Sequence, residues 1–263
     1  HKAIRRQRQM CIRDSYVPFL VEQGRLEDAI KGAYGLHILG CNVTVPYKND
    51  VIPYLAQIDE LAAKMGSVNT LVRVDGGYKG YNTDMTGLYR AMSSDGVSIQ
   101  GEQVIVLGAG GVGRAVAFMC AAKGAAHVWL LNRTVEKADE VAKEVNLTEG
   151  RSCVEALAMS DYDKLPDEKY LVIQSTSVGL YPHVEDAVIT DPAFYHKVKA
   201  GYDLIYRPWE TRFMQLVKEQ GAPAYNGLKM LLYQGIEAFE LWNQCKIEDE
   251  SAYKLYEMLR TTV

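Results

Sequence analysis

The residues best able to do chemistry lie in two stretches of the chain. Gly108-Ala109-Gly110-Gly111-Val112-Gly113 fits the spacing G-x-G-x-x-G. Glycine at those places permits a tight turn and lets backbone amides at a helix start approach a pyrophosphate. Alone, the pattern could equally be a plain glycine turn. Its place directly after an apolar run and before a helical pattern points to dinucleotide binding. Asn132-Arg133-Thr134 then falls where nicotinamide-binding folds usually offer an acid to the ribose hydroxyls, and Lys137 follows one turn on. A carboxylate there would repel a 2′-phosphate, whereas a guanidinium can grip it through two hydrogen bonds. These residues favour NADP over NAD. The competing reading is a solvated basic helix start.

The second stretch is Gly40-Cys41-Asn42-Val43-Thr44-Val45-Pro46-Tyr47-Lys48. Lys48 comes just past Pro46 and four residues after Thr44, so a hydroxyl and an ammonium could line one pocket. Gly66-Ser67-Val68-Asn69-Thr70 and Gly80-Tyr81-Asn82-Thr83-Asp84 add small and polar residues. Singly, each Asn or Asp is well explained as a cap or a turn residue. Three such blocks in one half of a chain, ahead of a nucleotide fold, suggest a shared site.

The elements that must hold these residues follow from periodicity. Residues 16–21 form a short apolar, β-rich run that predicts a strand. Residues 26–36 place Leu26, Ala29, Ile30, Ala33 and Tyr34 near one helical face. Residues 40–45 read as a strand stopped by Pro46, followed by short helical stretches broken at Pro53 and running on to Met65. Residues 68–74 and 78–81 flank Asp75-Gly76-Gly77, a hairpin signal. A helix over 85–92 leads into a polar link over 93–101. Beyond it, strands at 104–107, 128–131, 170–174 and 201–205 alternate with helices at 112–123 and 135–144. That alternation predicts a doubly wound α/β sheet with right-handed crossovers. The end is helical, over 228–243 and again near 250–259.

Bulk properties narrow the function class. The chain has 263 residues, 48% of them hydrophobic and 24% charged, which suits a globular protein with a sizeable core. A net charge of −4 argues against general binding to nucleic acid or anionic membranes. No apolar run is long enough to cross a bilayer, and the start lacks the apolar core of a signal peptide. The 5 cysteines are scattered, without a C-x-x-C pair or a His/Cys cluster, so no metal site is expected and reduced thiols in the cytoplasm are.

In order, G-x-N-V-T-x-P-x-K, G-x-V-N-T, G-x-N-T-D, G-A-G-G and N-R-T resemble shikimate dehydrogenase. Ser175-Thr176-Ser177-Val178-Gly179, Tyr202-Asp203-Leu204-Ile205-Tyr206 and the run Asn226 to Gln234 continue the resemblance from about Tyr16 to the end. It implies an N-terminal α/β substrate domain, a Rossmann-type NADP-binding domain, and C-terminal helices packing back on the substrate domain. The implied activity is reversible reduction of 3-dehydroshikimate to shikimate by NADPH, in chorismate and aromatic amino acid biosynthesis. Lys48 and Asp84 resemble the catalytic dyad, and Thr44, Asn69, Asp84, Tyr206 and Gln234 resemble substrate contacts. Gly108, Ala109, Gly110, Gly111, Val112, Asn132, Arg133, Thr134, Lys137, Leu204 and Gly227 resemble the cofactor site, with Glu60 a weaker match by its spacing from Lys48. The chemistry suits a lysine, because ketone reduction creates an alkoxide that needs a proton as the hydride arrives.

The resemblance divides the chain into a substrate domain over 16–97, a cofactor domain over 98–227, and returning helices over 228–263. It also exposes a departure. The family opens with a strand and a helix carrying Ser-x-Ser for the substrate carboxylate, and neither appears. Residues 1–15 resemble a translated sequencing adapter, the alternative being a genuine basic tail. The corresponding expectation is a chain that binds NADP but turns over little or no shikimate. An NAD-using quinate/shikimate dehydrogenase and a catalytically impaired NADP-binding fragment are the competing functions. Oligomeric state is left open, a homodimer being one outcome.

Overall fold

A computed structural model describes residues 15–262 of the chain. Residues 1–14, nearly all of the adapter-like leader, lie outside the described residues. Helix α1 (Leu26–Gly35) turns Leu26 and Ile30 inward, as its spacing predicts. Strand β1 (Gly40–Asn42), a 3-10 turn (Ile52–Tyr54), β2 (Gln57–Ile58), α2 (Glu60–Met65), β3 (Thr70–Val74), β4 (Gly77–Tyr81) and α3 (Thr83–Ser94) complete the first half. Its sheet runs β1-β3-β4-β2. The hairpin β3–β4 is antiparallel with Val74 opposite Gly77, and β2 joins β4 in parallel. Leu26, Ile30, Val51, Val68, Leu71 and Tyr78 form the small core between α1 and this sheet.

Residues 16–21 are not a strand. Strand β1 is an edge of its sheet, and the run beside it joins no ladder. Pro18 has no amide to offer, and Val17, Phe19 and Leu20 stay exposed. The segment is held by side chains: the Tyr16 hydroxyl donates to Asn42 Oδ1 at 2.9 Å, and the Tyr47 hydroxyl donates to the Val21 carbonyl at 3.0 Å.

The second half is a six-stranded, all-parallel sheet of β5 (Gln103–Leu107), β6 (His127–Asn132), β7 (Val154–Ala158), β8 (Tyr170–Gln174), β9 (Val198–Asp203) and β10 (Ala224–Tyr225). Helices α4 (Gly111–Ala122), α5 (Val135–Glu149), α6 (Pro192–Tyr195) and α7 (Arg212–Glu219) connect them. The spatial order β10-β9-β8-β5-β6-β7 is the Rossmann order, with its switch point between β5 and β8. Val104–Leu107 and Tyr170–Gln174 are buried throughout, because helices cover both faces of the sheet. Periodicity alone did not reveal β2, β7, α7 or β10, which are short or only partly apolar.

Two helices close the chain, α8 (Leu228–Asn243) and α9 (Asp249–Arg260). Helix α8 leaves the parallel sheet at Gly227 and lies along α3 of the first half. Arg90 on α3 meets both carboxylate oxygens of buried Glu240 on α8, at 3.1 and 3.2 Å. The Trp242 indole donates to the Leu71 carbonyl of β3 at 2.9 Å. No helix among the described residues is long and apolar enough to cross a membrane.

Candidate active site

The first half brings a lysine and a carboxylate together. Lys48 sits in a turn after β1, where Tyr47 N donates to the Thr44 carbonyl at 2.9 Å. Its own carbonyl accepts from Val68 N at 2.8 Å, which ties the turn to the approach of β3. Asp84 is in the first turn of α3, capped by Asn82, whose side chain accepts from Met85 N at 3.2 Å. A carboxylate is favoured at that end by the helix dipole and the unpaired amides. Lys48 Nζ donates to Asp84 Oδ2 at 2.6 Å, with 29% and 22% of the two side chains exposed. The pair is screened from bulk water yet open to a ligand.

Asn69 joins the surrounding strands to that pair. Its Oδ1 accepts from Thr83 N at 2.7 Å and from the hydroxyls of Thr70 and Thr83, both at 3.2 Å. Its carbonyl accepts from Val43 N at 2.8 Å and Asn42 Nδ2 at 3.2 Å. The acceptor side is fully engaged, so Nδ2 is the group left to donate to a ligand. Gln234 arrives on α8. A Cβ on Gly87 would meet Gln234 N at 2.5 Å and Cα at 2.8 Å, so only glycine lets the two helices touch there. Gly87 is three residues beyond Asp84 on the same face of α3, which brings Gln234 to the turn that bears Asp84.

The second half supplies a cradle. Gly110 caps α4, and a Cβ built on Gly110 or Gly111 would meet nothing within 4 Å. Gly113 is the opposite case: its Cβ would fall 1.9 Å from the Gly108 carbonyl oxygen. The loop is therefore packed tightly below and open above, with the amides of the α4 N-terminus facing the opening. Asn132 Oδ1 accepts from Ala109 N at 3.2 Å, while its Nδ2 donates to the Thr134 carbonyl at 2.8 Å. It thus fixes the glycine loop to the Arg133 turn. Arg133 and Lys137 are exposed and have no partner among the described residues, so two cations stand ready beside the cradle. A phosphorylated dinucleotide fits this donor set. Val112, 49% exposed, offers an apolar rim.

Not every candidate converges on one point. Thr44 is exposed before the Lys48 turn, and Tyr206 is exposed beyond β9. Glu60, in the first turn of α2, has an 86% exposed side chain and pairs with Lys64 at 3.6 Å. No contact joins it to Lys48, Asp84 or the glycine loop. Leu204 and Gly227 do converge, since a Cβ on Gly227 would fall 2.2 Å from the Leu204 carbonyl oxygen. A bridge between the halves went unforeseen: Arg114 on α4 donates to the Met65 carbonyl at the end of α2 and pairs with Glu144. Asp203 and Gln174, both fully buried, carry no role in the sequence reading. The available signal was an acid and an amide ending otherwise apolar strands. Burial pushes the Asp203 carboxyl up to about 7, against the pull of the Thr211 hydroxyl and the Ile205 amide.

No group of three or more His, Cys, Asp or Glu side chains among the described residues could hold a metal ion. Cys41, Cys120, Cys153 and Cys245 carry no disulfide.

Residues 1–71 match the shikimate dehydrogenase substrate binding domain, 91–189 the shikimate / quinate 5-dehydrogenase domain, and 227–253 the shikimate 5′-dehydrogenase C-terminal domain. A shikimate dehydrogenase (NADP(+)) of Moorella thermoacetica is 39% identical over 229 residues, covering 86% of this chain and 77% of its own. A chorismate mutase/shikimate 5-dehydrogenase fusion protein from Clostridium acetobutylicum superposes with a TM-score of 0.85 at 30% identity, over 97% of this chain and 89% of that one. A shikimate dehydrogenase solved in complex with NADP+ superposes at 0.80 with 32% identity, over 94% of this chain and 85% of its own. The chain belongs to the shikimate dehydrogenase family.

Proposed function

We propose that this chain is an NADP-dependent shikimate dehydrogenase, reducing the ketone of 3-dehydroshikimate to the alcohol of shikimate and reversing that step. The observation that carries this is the Lys48–Asp84 pair at 2.6 Å, whose helix start is bonded to Asn69 and packed against the turn of α8 that bears Gln234. NADPH, when bound, supplies the hydride for the ketone carbon. Lys48 hands a proton from Nζ to the oxygen that gains charge, and takes it back in the oxidative direction. Asp84 keeps the ammonium pointed into the pocket and accepts from a substrate hydroxyl. Thr44, Asn69, Tyr206 and Gln234 supply the remaining polar contacts. The pyrophosphate belongs over Gly108–Val112, the 2′-phosphate on Arg133 with Lys137 and Thr134, and the nicotinamide against Leu204 and Gly227.

The same reading divides the chain into substrate residues 16–97 and cofactor residues 98–227, with 228–263 returning to the substrate side. Packing of α8 along α3 supports that return. Cytoplasmic residence fits the unpaired cysteines, and a homodimer is the assembly to look for by sedimentation. The experiment is direct: titrate the chain with NADPH and with NADH, then follow shikimate oxidation with NADP and with NAD. Saturable NADPH binding with NADP-dependent turnover is expected, because Lys48 and Asp84 are held together, in place of the weak or absent turnover anticipated from the sequence alone. Binding without turnover would leave a nucleotide-binding protein and remove the enzymatic claim.

A further inference from the structure

We propose that Asp203, bonded to Gln174 across the ends of β9 and β8 one strand from the switch point of the parallel sheet, is a positioning residue that sets the hydride-transfer pocket. The proposal deepens the function given above and rests on it. Asp203 ends β9 and Gln174 ends the neighbouring β8, and neither has exposed surface. Asp203 Oδ1 accepts from Ile205 N at 3.0 Å and from Gln174 Nε2 at 3.5 Å, while Oδ2 accepts from the Thr211 hydroxyl at 2.6 Å. Gln174 Nε2 also donates to the carbonyls of Thr176 and Val178 at 3.3 and 3.1 Å, and its Oε1 accepts from Thr176 N at 2.6 Å.

The bonds to Ile205, Thr176 and Val178 reach two segments beside the cradle, and the bond to Thr211 reaches the N-cap of α7. The Ile205 amide fixes the backbone between Leu204 and Tyr206. On that backbone the Leu204 carbonyl lies against Gly227, and the Ile205 carbonyl accepts from Gly227 N at 3.0 Å. The loop after β8 begins with Ser175, whose hydroxyl donates to the Leu107 and Gly108 carbonyls at 2.7 and 3.3 Å. Asp203 and Gln174 therefore join three walls at one point: the glycine loop, the loop after β8, and the Leu204–Tyr206 turn against Gly227. Burying a polar pair without exposure costs free energy that a pair of leucines would not. What the polar pair adds is a fixed direction for four backbone groups. Asp203 cannot touch a ligand itself, so it acts through Leu204, Tyr206 and Gly227.

The test compares Asp203→Ala and Asp203→Asn with Asn146→Ala. Asn146 makes a similar set of bonds, to Cys153 N at 2.8 Å, Val154 N at 2.9 Å and the Val154 carbonyl at 2.8 Å, but at the opposite end of the sheet. Melting temperature, kcat, KM for each substrate and the NADPH Kd are measured for all. Asn146→Ala should lower the melting temperature and leave the kinetic constants alone. Asp203→Ala should lower kcat/KM about 10- to 100-fold, the scale of a misplaced reacting group. Asp203→Asn keeps an acceptor for Ile205 and should recover most of it. If Asp203→Ala, like the control, changes only the melting temperature, the proposal is wrong. Should Asp203→Ala not fold, Thr211→Val removes a single bond of the cluster and is judged by the same criterion. If the unaltered chain binds NADPH without turnover, the proposed activity falls. Positioning is then judged from NADPH affinity: a loss of about tenfold in the Asp203 variant supports it, and an unchanged Kd overturns it.

Discussion

Lys48 Nζ and Asp84 Oδ2 meet at 2.6 Å although 36 positions separate the two residues. One comes from a turn pinned by Val68, the other from the first turn of a helix capped by Asn82. The two side chains are 29% and 22% exposed, so the pair is shielded on one side and open on the other. Its exposure on one side suits a proton donor held ready for an incoming oxygen.

Lys48→Met should therefore cut kcat by about 10²- to 10⁴-fold, the usual size of a general acid–base contribution. NADPH binding should be kept, because no cradle residue contacts Lys48. Steady-state kinetics beside a fluorescence titration checks both. A variant with normal kcat and only a raised KM would make Lys48 a binding group alone.

Arg133 has no partner among the described residues, so its charge is free for a ligand. Arg133→Ala should weaken NADPH binding by about 1.5–3 kcal/mol, the scale of a charge-assisted hydrogen bond. NADH binding should barely move. Equal weakening of both would show that Arg133 supports the loop and does not select the phosphate.

Gly87→Ala tests how α8 delivers Gln234. The added methyl would lie 2.5 Å from Gln234 N, so α8 must shift away from α3. Overpacking of this kind costs about 1–3 kcal/mol. The melting temperature should fall and KM for shikimate should rise, with NADPH affinity unchanged. An unaltered KM would mean that Gln234 does not reach the substrate.

Part of the candidate site was legible from spacing, more of it came from family resemblance, and the limits were physical. The glycine loop and Asn132-Arg133-Thr134 stood out because few residue types permit that backbone and that charge. Lys48 was visible as a lysine beyond Pro46, but its partner Asp84 had to come from family resemblance, since pairing across two elements leaves no local pattern. The strand over 16–21 was misjudged because a ladder depends on a neighbour, which periodicity does not encode. Strand β7 went unseen because Glu155 interrupts its apolar run. Asp203 was overlooked because a buried acid and a turn acid look alike until the strands are assembled.

Asp203 also gives stability a pH dependence. Its carboxyl is raised from 3.8 to about 7 by burial. Between about pH 4 and pH 7 the folded chain holds a proton that the unfolded chain has released. This contribution is complete below the unfolded value and is lost as pH rises through the folded one. The loss is on the order of 4 kcal/mol across the window. Asp203→Asn should flatten that part of the profile, read as melting temperature against pH. A profile that falls as steeply without the carboxyl would assign the titration elsewhere.

The central claim is an NADP-dependent alcohol oxidation carried by Lys48 and selected by Arg133. Initial rates of shikimate oxidation by the unaltered chain, with NADP and with NAD side by side, test it most directly. The account predicts turnover with NADP at a kcat/KM at least about tenfold above that with NAD, a difference of about 1.4 kcal/mol in transition-state stabilisation. Turnover with neither cofactor, or a preference for NAD, would contradict it.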